Sequence, residues 1–476
     1  MLNRDRDRQR SAGCHVRTAN VMCALLCGVG GMLGFGRALA QPVLPEYAIL
    51  QSPDVGKTLG TLRDISDPGI AVGSEDQIGG QLTPLVVYPD GRFEFLDLPP
   101  GAAGATVLGV NEVGEAFGDP PTGDWIFWEA SGEPHLVDTD GLRHDFNAIN
   151  AHGEVAGGLQ DPSTYIWTAI VWSLDNGVRT LPDLDPNSDV YAFARGINDD
   201  GLVVGRADYW DGTRYASRAV LWRDGEISQL PQTPREKFAE TALHINRDGV
   251  ILGEGSTGGG RTLFVWLPDG RVLELDDGLQ GKDVSANGLT DSGVVLGSNP
   301  GNGTTGSITL VWFDLRRRAV QLQTMLPPQH QWHDLTGWGI NNLNQIAGQG
   351  RIVGRPLTEL RGFIATPVTP TFTLHHPVPG QAGEVNTFTI EGAPPNTEIV
   401  LVAGIHGGGA YIPGCTTLDN VLQIDNPQFL GRVRSDVNGN VTLRRKVPAS
   451  HAGKTYVFQA VIPSQCAIST LMEQTF

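Results

Sequence analysis

Seven times along this chain an apolar residue leads into a short polar turn, and the turn leads into an apolar pair closed by glycine. The copies read ISDPGIAVG at 65–73, VNEVGEAFG at 110–118, INAHGEVAG at 149–157, INDDGLVVG at 197–205, INRDGVILG at 245–253, LTDSGVVLG at 289–297 and INNLNQIAG at 340–348. Their closing glycines lie 39 to 51 residues apart. A period in this range marks a repeat architecture, in which one supersecondary unit cannot bury its apolar surface alone.

A second signature follows each of the first six glycines after 10 to 17 residues, an apolar run ending in Tyr88, Trp128, Trp172, Trp222, Trp266 or Trp312. In five units a glycine turn comes next (Gly91, Gly132, Gly177, Gly225, Gly270), and then a further short apolar stretch such as 93–98 or 272–275. Each unit therefore reads as four short strands. Seven such units predict an all-β fold, a seven-bladed β-propeller, because a closed ring buries faces that a single blade leaves open. A linear solenoid is the rival, but its rungs are shorter. Ring closure supplies a separate expectation. The seventh unit has a third strand at 361–366 and then meets Pro367 with no fourth, whereas 47–51 stands as a spare strand before the first unit. Pairing the two would remove the open edge.

Turn chemistry explains the motif locally. In I-N-x-x-G the Asn is expected to cap the turn and to tolerate the left-handed region, and the Gly to supply positive φ. Asn344 replaces that Gly in the seventh unit, a substitution this mechanism allows. The last Gly of each copy is expected to permit a bulge or a close backbone approach.

The pairing of I-N-x-x-G-x-V-V-G with A-V-L-W-x-D-G resembles the bacterial extracellular HAF-repeat proteins over 62–367. Most copies depart from the His-Ala-Phe triplet, as at Arg218-Ala219-Val220. The resemblance implies export and a repeat fold, and no established activity.

Residues 1–40 have the layout of a secretory signal: Arg4, Arg6, Arg8, Arg10 and Arg17, an apolar run at 21–35, and Ala38-Leu39-Ala40 before Gln41. The run is shorter than the roughly 20 residues a membrane helix needs, so a free exported protein is expected, secreted, periplasmic or at the cell surface, with no membrane span once the signal is gone. Of the five cysteines, only Cys415 and Cys466 follow residue 40. They are expected to form one disulfide in the last domain; a metal or redox pair is the rival, without a C-x-x-C to support it. Residues 41–476 carry 28 Lys or Arg against 50 Asp or Glu. That balance excludes nucleic acid as a partner and leaves cationic partners and metal ions open.

After a Pro/Thr linker at 365–371 the chain changes character. Apolar stretches at 388–390, 398–402, 440–443 and 456–461, separated by turns such as Pro394-Pro395-Asn396, predict a small C-terminal β-sandwich over 371–476, following the propeller at 41–370. This block resembles C-terminal modules of secreted and surface proteins from Gram-negative and related bacteria. Sorting, adhesive and capping roles all fit it.

The two short turns of each unit fall on one face, and the long loops 160–167, 206–218, 231–240, 298–307 and 327–334 on the other, where function is expected. There Asp208, Tyr209, Trp210, Asp211 and Tyr215 suit stacking on sugar rings or a peptide; the plainer reading is a loop packed on itself. His330, Trp332, His333 and Asp334 offer a general base or metal ligand, against a packing role. Asp183, Asp185, Asn187 and Asp189 alternate as calcium ligands do, but the loop lacks glycine at its sixth position and has Ala194 at its twelfth; a solvated turn competes. No cofactor beyond that calcium is implied. No G-x-S-x-G, H-E-x-x-H or Walker loop is present, and catalytic residues are not assigned. Glu236, Glu240 and Asp283 are carboxylates that ring closure can pair for glycoside chemistry, at about 5 to 9 Å. The leading expectation is a monomeric binding or surface-interaction protein for an extracellular glycan or protein ligand. The alternatives are a secreted carbohydrate-active hydrolase or lyase acting at the channel mouth, and a structural envelope component.

Overall fold

Each copy of the repeat folds into one four-stranded antiparallel sheet. In the fourth unit the strands are Ala192–Ile197, Val203–Trp210, Tyr215–Arg223 and Glu226–Gln229, paired in chain order. The computed structural model describes residues 44–52, 60–77, 81–121, 124–185, 190–233, 238–256, 260–279, 283–301, 306–415 and 421–476, and the signal at 1–40 lies outside them. Seven four-stranded sheets occur among the described residues, and the fold is all-β and propeller-like. Six are built from consecutive strands. The seventh combines Trp332–Ile340, Ile346–Ile352 and Arg361–Val368 with Glu46–Gln51, which pairs in register from Glu46 opposite Val368 to Gln51 opposite Phe363. The spare strand near the start of the chain thus completes the last sheet.

Turn asparagines join neighbouring sheets. Asn198 Oδ1 accepts the backbone N–H groups of Asp200 and Leu202 at 3.1 and 3.0 Å, capping its own turn. Its Nδ2 donates to the Asn246 carbonyl in the next unit at 3.1 Å. Asn111 reaches Asn150 O, Asn150 reaches Asn198 O, and Asn246 reaches Thr290 O in the same way. Asn341 then donates to Ser66 O at 2.9 Å, from the seventh unit to the first. The longer amide side chain accepts twice in its own turn and still reaches the next unit with its NH₂ group. Ser66 and Thr290, which hold this position in the first and sixth units, each accept one N–H of their own turn, from Ile70 and Val294, through a shorter hydroxyl. The motif Asn does not take positive φ, contrary to expectation; the left-handed residue is the fifth, Gly201 at +72° or Asn344 at +59°.

The closing glycine has a steric cause. A Cβ on Gly205 would lie 1.9 Å from the Phe193 carbonyl oxygen, and one on Gly73 would lie 1.8 Å from that of Thr61. Opposite each closing glycine the first strand shifts register by one residue, as between Ala194 and Gly196, which pushes its backbone inward. The aromatic signature has a partner as well. Trp128, Trp222, Trp266 and Trp312 donate their indole N–H to the carbonyls of Asp97, Pro182, Pro231 and Asp276, each in the preceding unit.

Beyond the seventh sheet, Thr373–Leu374, Val385–Glu391 and Val441–Lys446 form one sheet. Gln428–Arg434, Glu398–Gly404, Thr455–Ile462 and Ala467–Ile468 form another, with Met472–Thr475 also paired to Thr455–Ile462. Phe388, Ile390 and Leu443 of the first share a core with Leu401, Phe458 and Ala460 of the second. The sulfurs of Cys415 and Cys466 lie 2.09 Å apart, a disulfide. This region also covers the closing strand: Ala48, Leu50 and Val368 pack with Ile412, Leu422 and Val457, and Gly409 lies so near the Ile49 backbone that a Cβ there would come within 2.7 Å. No helix among the described residues is long and apolar enough to cross a membrane.

Candidate functional site

The I-N-x-x-G turns bring all seven units around one cavity of about 200 Å³. Its wall is made of the apolar first residue of each motif, from Ile65 and Val110 to Ile340, together with five motif asparagines and all seven third motif positions. Those third positions are Asp67, Glu112, Ala151, Asp199, Arg247, Asp291 and Asn342. Sequence spacing alone makes them look like free solvent-facing turn residues. In the structure five of the seven unit-to-unit links between them are hydrogen bonds from a backbone N–H. The backbone N–H of Asp67 donates to Glu112 (2.8 Å), that of Ala151 to Asp199 (2.9 Å), that of Arg247 to Asp291 (3.0 Å), that of Asp291 to Asn342 (2.7 Å) and that of Asn342 to Asp67 (2.7 Å). An acceptor of one or two carbons' reach is what this position requires, which is why Asp, Glu and Asn fill five of the seven copies.

The ring is acidic. Asp67, Glu112, Asp199 and Asp291 face one cation, Arg247, whose guanidinium reaches Asp199 at 3.4 Å and Asp291 at 3.8 Å. Asn342 Nδ2 bridges Asp67 and Asp291 at 2.7 and 2.8 Å. Burial, and then the Asp67 carboxylate, push the Glu112 carboxyl up to about 7. In the strand entering the first turn, burial raises Asp64 to about 6, although the N–H groups of Val110 and Ile65 donate to it and oppose the shift. Burial holds His244 down at about 4.

The opposite face is built differently. Trp210 and Tyr215 sit directly opposite each other at a hairpin tip, exposed, with ring centroids 5.1 Å apart in an edge-to-face arrangement. Tyr209 precedes Trp210 on one strand, so it projects to the other side of the sheet, and the aromatic cluster splits. Asp208 is buried and accepts from Ser217 Oγ and Arg206. Asp211 accepts from the Thr213 hydroxyl and the N–H groups of Thr213 and Arg214, contacts that bring its carboxyl down to about 2; both Asp208 and Asp211 shape the hairpin.

In the seventh unit Trp332 is buried against Phe363, with ring centroids 5.8 Å apart, and it also lines a cavity beside Ile49, Gly409 and Tyr411. His333 Nδ1 and Arg351 Nη1 share the Asp334 carboxylate at 3.2 Å each. His330 is partly buried, which lowers its pKa. Of the expected calcium loop, Asp183 is described with its pKa raised by burial, and Asp185 is described, whereas Asn187 and Asp189 lie outside the described residues. Among the described residues no group of three or more His, Cys, Asp or Glu is placed to hold a metal ion. Glu240 is buried and accepts from the backbone and hydroxyl of Thr233. Asp283 accepts from the Arg261 N–H at 2.7 Å, and Glu236 lies outside the described residues.

No family model matches the chain, and no curated protein matches it. Among solved structures it is similar to virginiamycin B lyase from Staphylococcus aureus, with 12% identity and a TM-score of 0.41 over 68% of this chain and 99% of that one. It is similar to an oligogalacturonate lyase in complex with manganese at 10% identity and a TM-score of 0.43, over 68% of this chain and 97% of that one. YCF48 bound to D1 peptide matches at 13% and 0.39, over 69% of this chain and 98% of that one. All three TM-scores are below 0.5, so these likenesses carry no argument; the propeller reading rests on the strand pairing itself.

Proposed function

We propose that the chain is an exported binding module: a seven-bladed ring over 41–370 with a sandwich over 371–476. It holds a cationic group of an extracellular protein or glycan ligand at the mouth formed by the I-N-x-x-G turns. The observation that carries this reading is the convergence of Asp67, Glu112, Asp199 and Asp291 on one cavity with a single cation among them. Carboxylates partly removed from water attract an ammonium or guanidinium group more strongly than exposed ones do. The likeness of the repeats to HAF-repeat proteins supports export and attaches no activity. The exposed Trp210 and Tyr215 pair on the other face belongs to the same proposal as a second contact for sugar or peptide.

The test is binding of the purified protein to arrays of glycans and peptides, with and without calcium. Lysine-rich or arginine-rich peptides, or amino sugars, are expected to bind, and the triple variant D67N/D199N/D291N is expected to lose at least about tenfold in affinity, roughly 1.4 kcal/mol. Asn342 occupies the same ring position, so Asn keeps the hydrogen-bond acceptor and removes only charge. Capture of neutral glycans alone, unchanged in the triple variant, would overturn the reading.

One observation favours a carbohydrate-active enzyme as a second reading. Glu112, with its pKa near 7, stands beside Asp67, and a protonated acid next to a carboxylate is the split that general acid and base work requires. New reducing ends or unsaturated products released from a polysaccharide panel, and lost in Glu112→Gln, would support it. A panel left intact by the wild type counts against it.

A further inference from the structure

A larger cavity, of about 510 Å³, opens at the edge of the C-terminal pair of sheets, away from the ring. Its volume lies within the roughly 300–1,000 Å³ of small-molecule sites. The floor is apolar: Phe388 and Phe458 are buried, and Tyr456 and Phe476 pack on Phe458 with ring centroids 6.4 and 5.9 Å away. The rim is basic. All six Lys and Arg residues of 371–476 lie between 432 and 454, in a chain whose formal charge is −18, and two of them, Arg445 and Lys446, line the opening.

Arg445 is exposed but tethered. It follows Leu443 by two positions on one strand and so lies on the same side of that strand, at its rim. Its Nε donates to the Leu430 carbonyl at 2.8 Å across the gap between the two sheets, and the guanidinium lies over Gly431, where a Cβ would meet it at 2.6 Å. Gly431 leaves room for a held guanidinium at the mouth of an aromatic-floored cavity. The imidazole of His451 stacks on Tyr456 at 5.2 Å on the same rim, and Asp425 is the one acidic residue there.

We propose that this cavity binds a small amphiphilic carboxylate, its acyl or aryl body on the aromatic floor and its carboxylate on Arg445, with the Lys446 charge beside it at the rim. The apolar floor supplies affinity and the held guanidinium supplies orientation, because a planar fork matches a carboxylate in a way a point charge does not. The site is independent of the ring mouth, and its ligand carries the opposite charge.

Calorimetric titration of the full chain with straight-chain carboxylates from hexanoate to tetradecanoate, with phenylbutyrate as the aryl arm and decanol as the uncharged control, tests this. Affinity is expected to rise about three- to fourfold per added methylene until the cavity is full, as burial of each CH₂ dictates. Decanoate is expected to bind at least tenfold more tightly than decanol. In R445Q/K446Q that preference is expected to vanish while decanol binding stays within twofold, and Ala403→Leu, which adds bulk to the lining, is expected to weaken every ligand. Absence of saturable binding by any acid in the wild type, no dependence on chain length, or decanol binding equal to decanoate would each overturn the proposal, and these readouts need no variant to fold. Tighter binding of phenylbutyrate than of any straight chain would assign the aryl class, and the reverse order the acyl class.

Discussion

At the scale of single residues, the asparagine of I-N-x-x-G does two jobs with two atoms, and substitution can separate them. Asn198→Asp keeps an oxygen for its own turn but sets a carboxylate oxygen against the Asn246 carbonyl, whereas Asn198→Ala loses the cap as well. Both should destabilise the chain, Ala by about 2–4 kcal/mol because it leaves the N–H groups of Asp200 and Leu202 without their acceptor and removes one of the two donors to the Asn246 carbonyl, which keeps the Gly249 N–H. Thermal unfolding of each variant checks this; wild-type stability in Asn198→Ala would mean that water replaces the side chain at no cost. Asp64 supplies a pH prediction of definite sign. Its folded pKa of about 6 lies above the ordinary aspartate value of 3.8, so between those values the folded state binds more protons than the unfolded one. Stability from this group therefore falls as pH rises from about 4 to 6. His244 works in the other direction: folded near 4 against 6.5, it adds stability as pH rises through that window. Unfolding midpoints of Asp64→Asn and wild type, compared from pH 4 to 7, should show the variant gaining on the wild type as pH rises; parallel curves would sink the assignment.

At the scale of elements, the closing strand Glu46–Gln51 is the weak joint of the ring, since its partner lies more than 300 residues away in sequence. Gly409→Val would drive a side chain into the Ile49 backbone and lift the C-terminal region from that strand. The expected result is faster amide exchange in Glu46–Gln51 and Arg361–Val368, with the sheet of the fourth unit unchanged. Uniform exchange across the molecule would show that this cover does not stabilise the joint. The strands, the repeat and this closure were legible in the sequence, because turn residues, apolar pairs and a missing fourth strand are local signals. The mouth was not legible. Third motif positions lie 39 to 51 residues apart, and each looks like an ordinary exposed turn until the ring sets them side by side. The I-N-x-x-G turns build a polar cavity, whereas the long loops opposite carry the Trp210 and Tyr215 hairpin and the buried Trp332. Neither Trp332 nor Tyr209 could have been placed from spacing, since burial and strand side depend on which neighbour each strand meets.

At the scale of the whole molecule, charge is divided unequally. Residues 41–370 hold 43 Asp or Glu against 22 Lys or Arg, whereas 371–476 hold seven against six. A cationic ligand approaching the ring mouth is drawn by the field of the entire ring, and that attraction is screened within about 10 Å at 0.1 M salt. An anionic amphiphile approaching the C-terminal cavity is repelled by the same distant charge and held chiefly by apolar burial, which salt does not weaken, with the charges of Arg445 and Lys446 as the smaller, screened part. Salt should therefore act on the two proposed sites with opposite sign. Raising it from about 20 mM to 500 mM should weaken capture of a lysine-rich peptide by tenfold or more, chiefly through the association rate. Decanoate binding should hold steady or strengthen slightly. Stopped-flow association for the peptide and calorimetry for decanoate, on one preparation across the same salt series, separate the cases. Parallel weakening of both ligands would place them on one electrostatic site and remove the division between ring and C-terminal cavity.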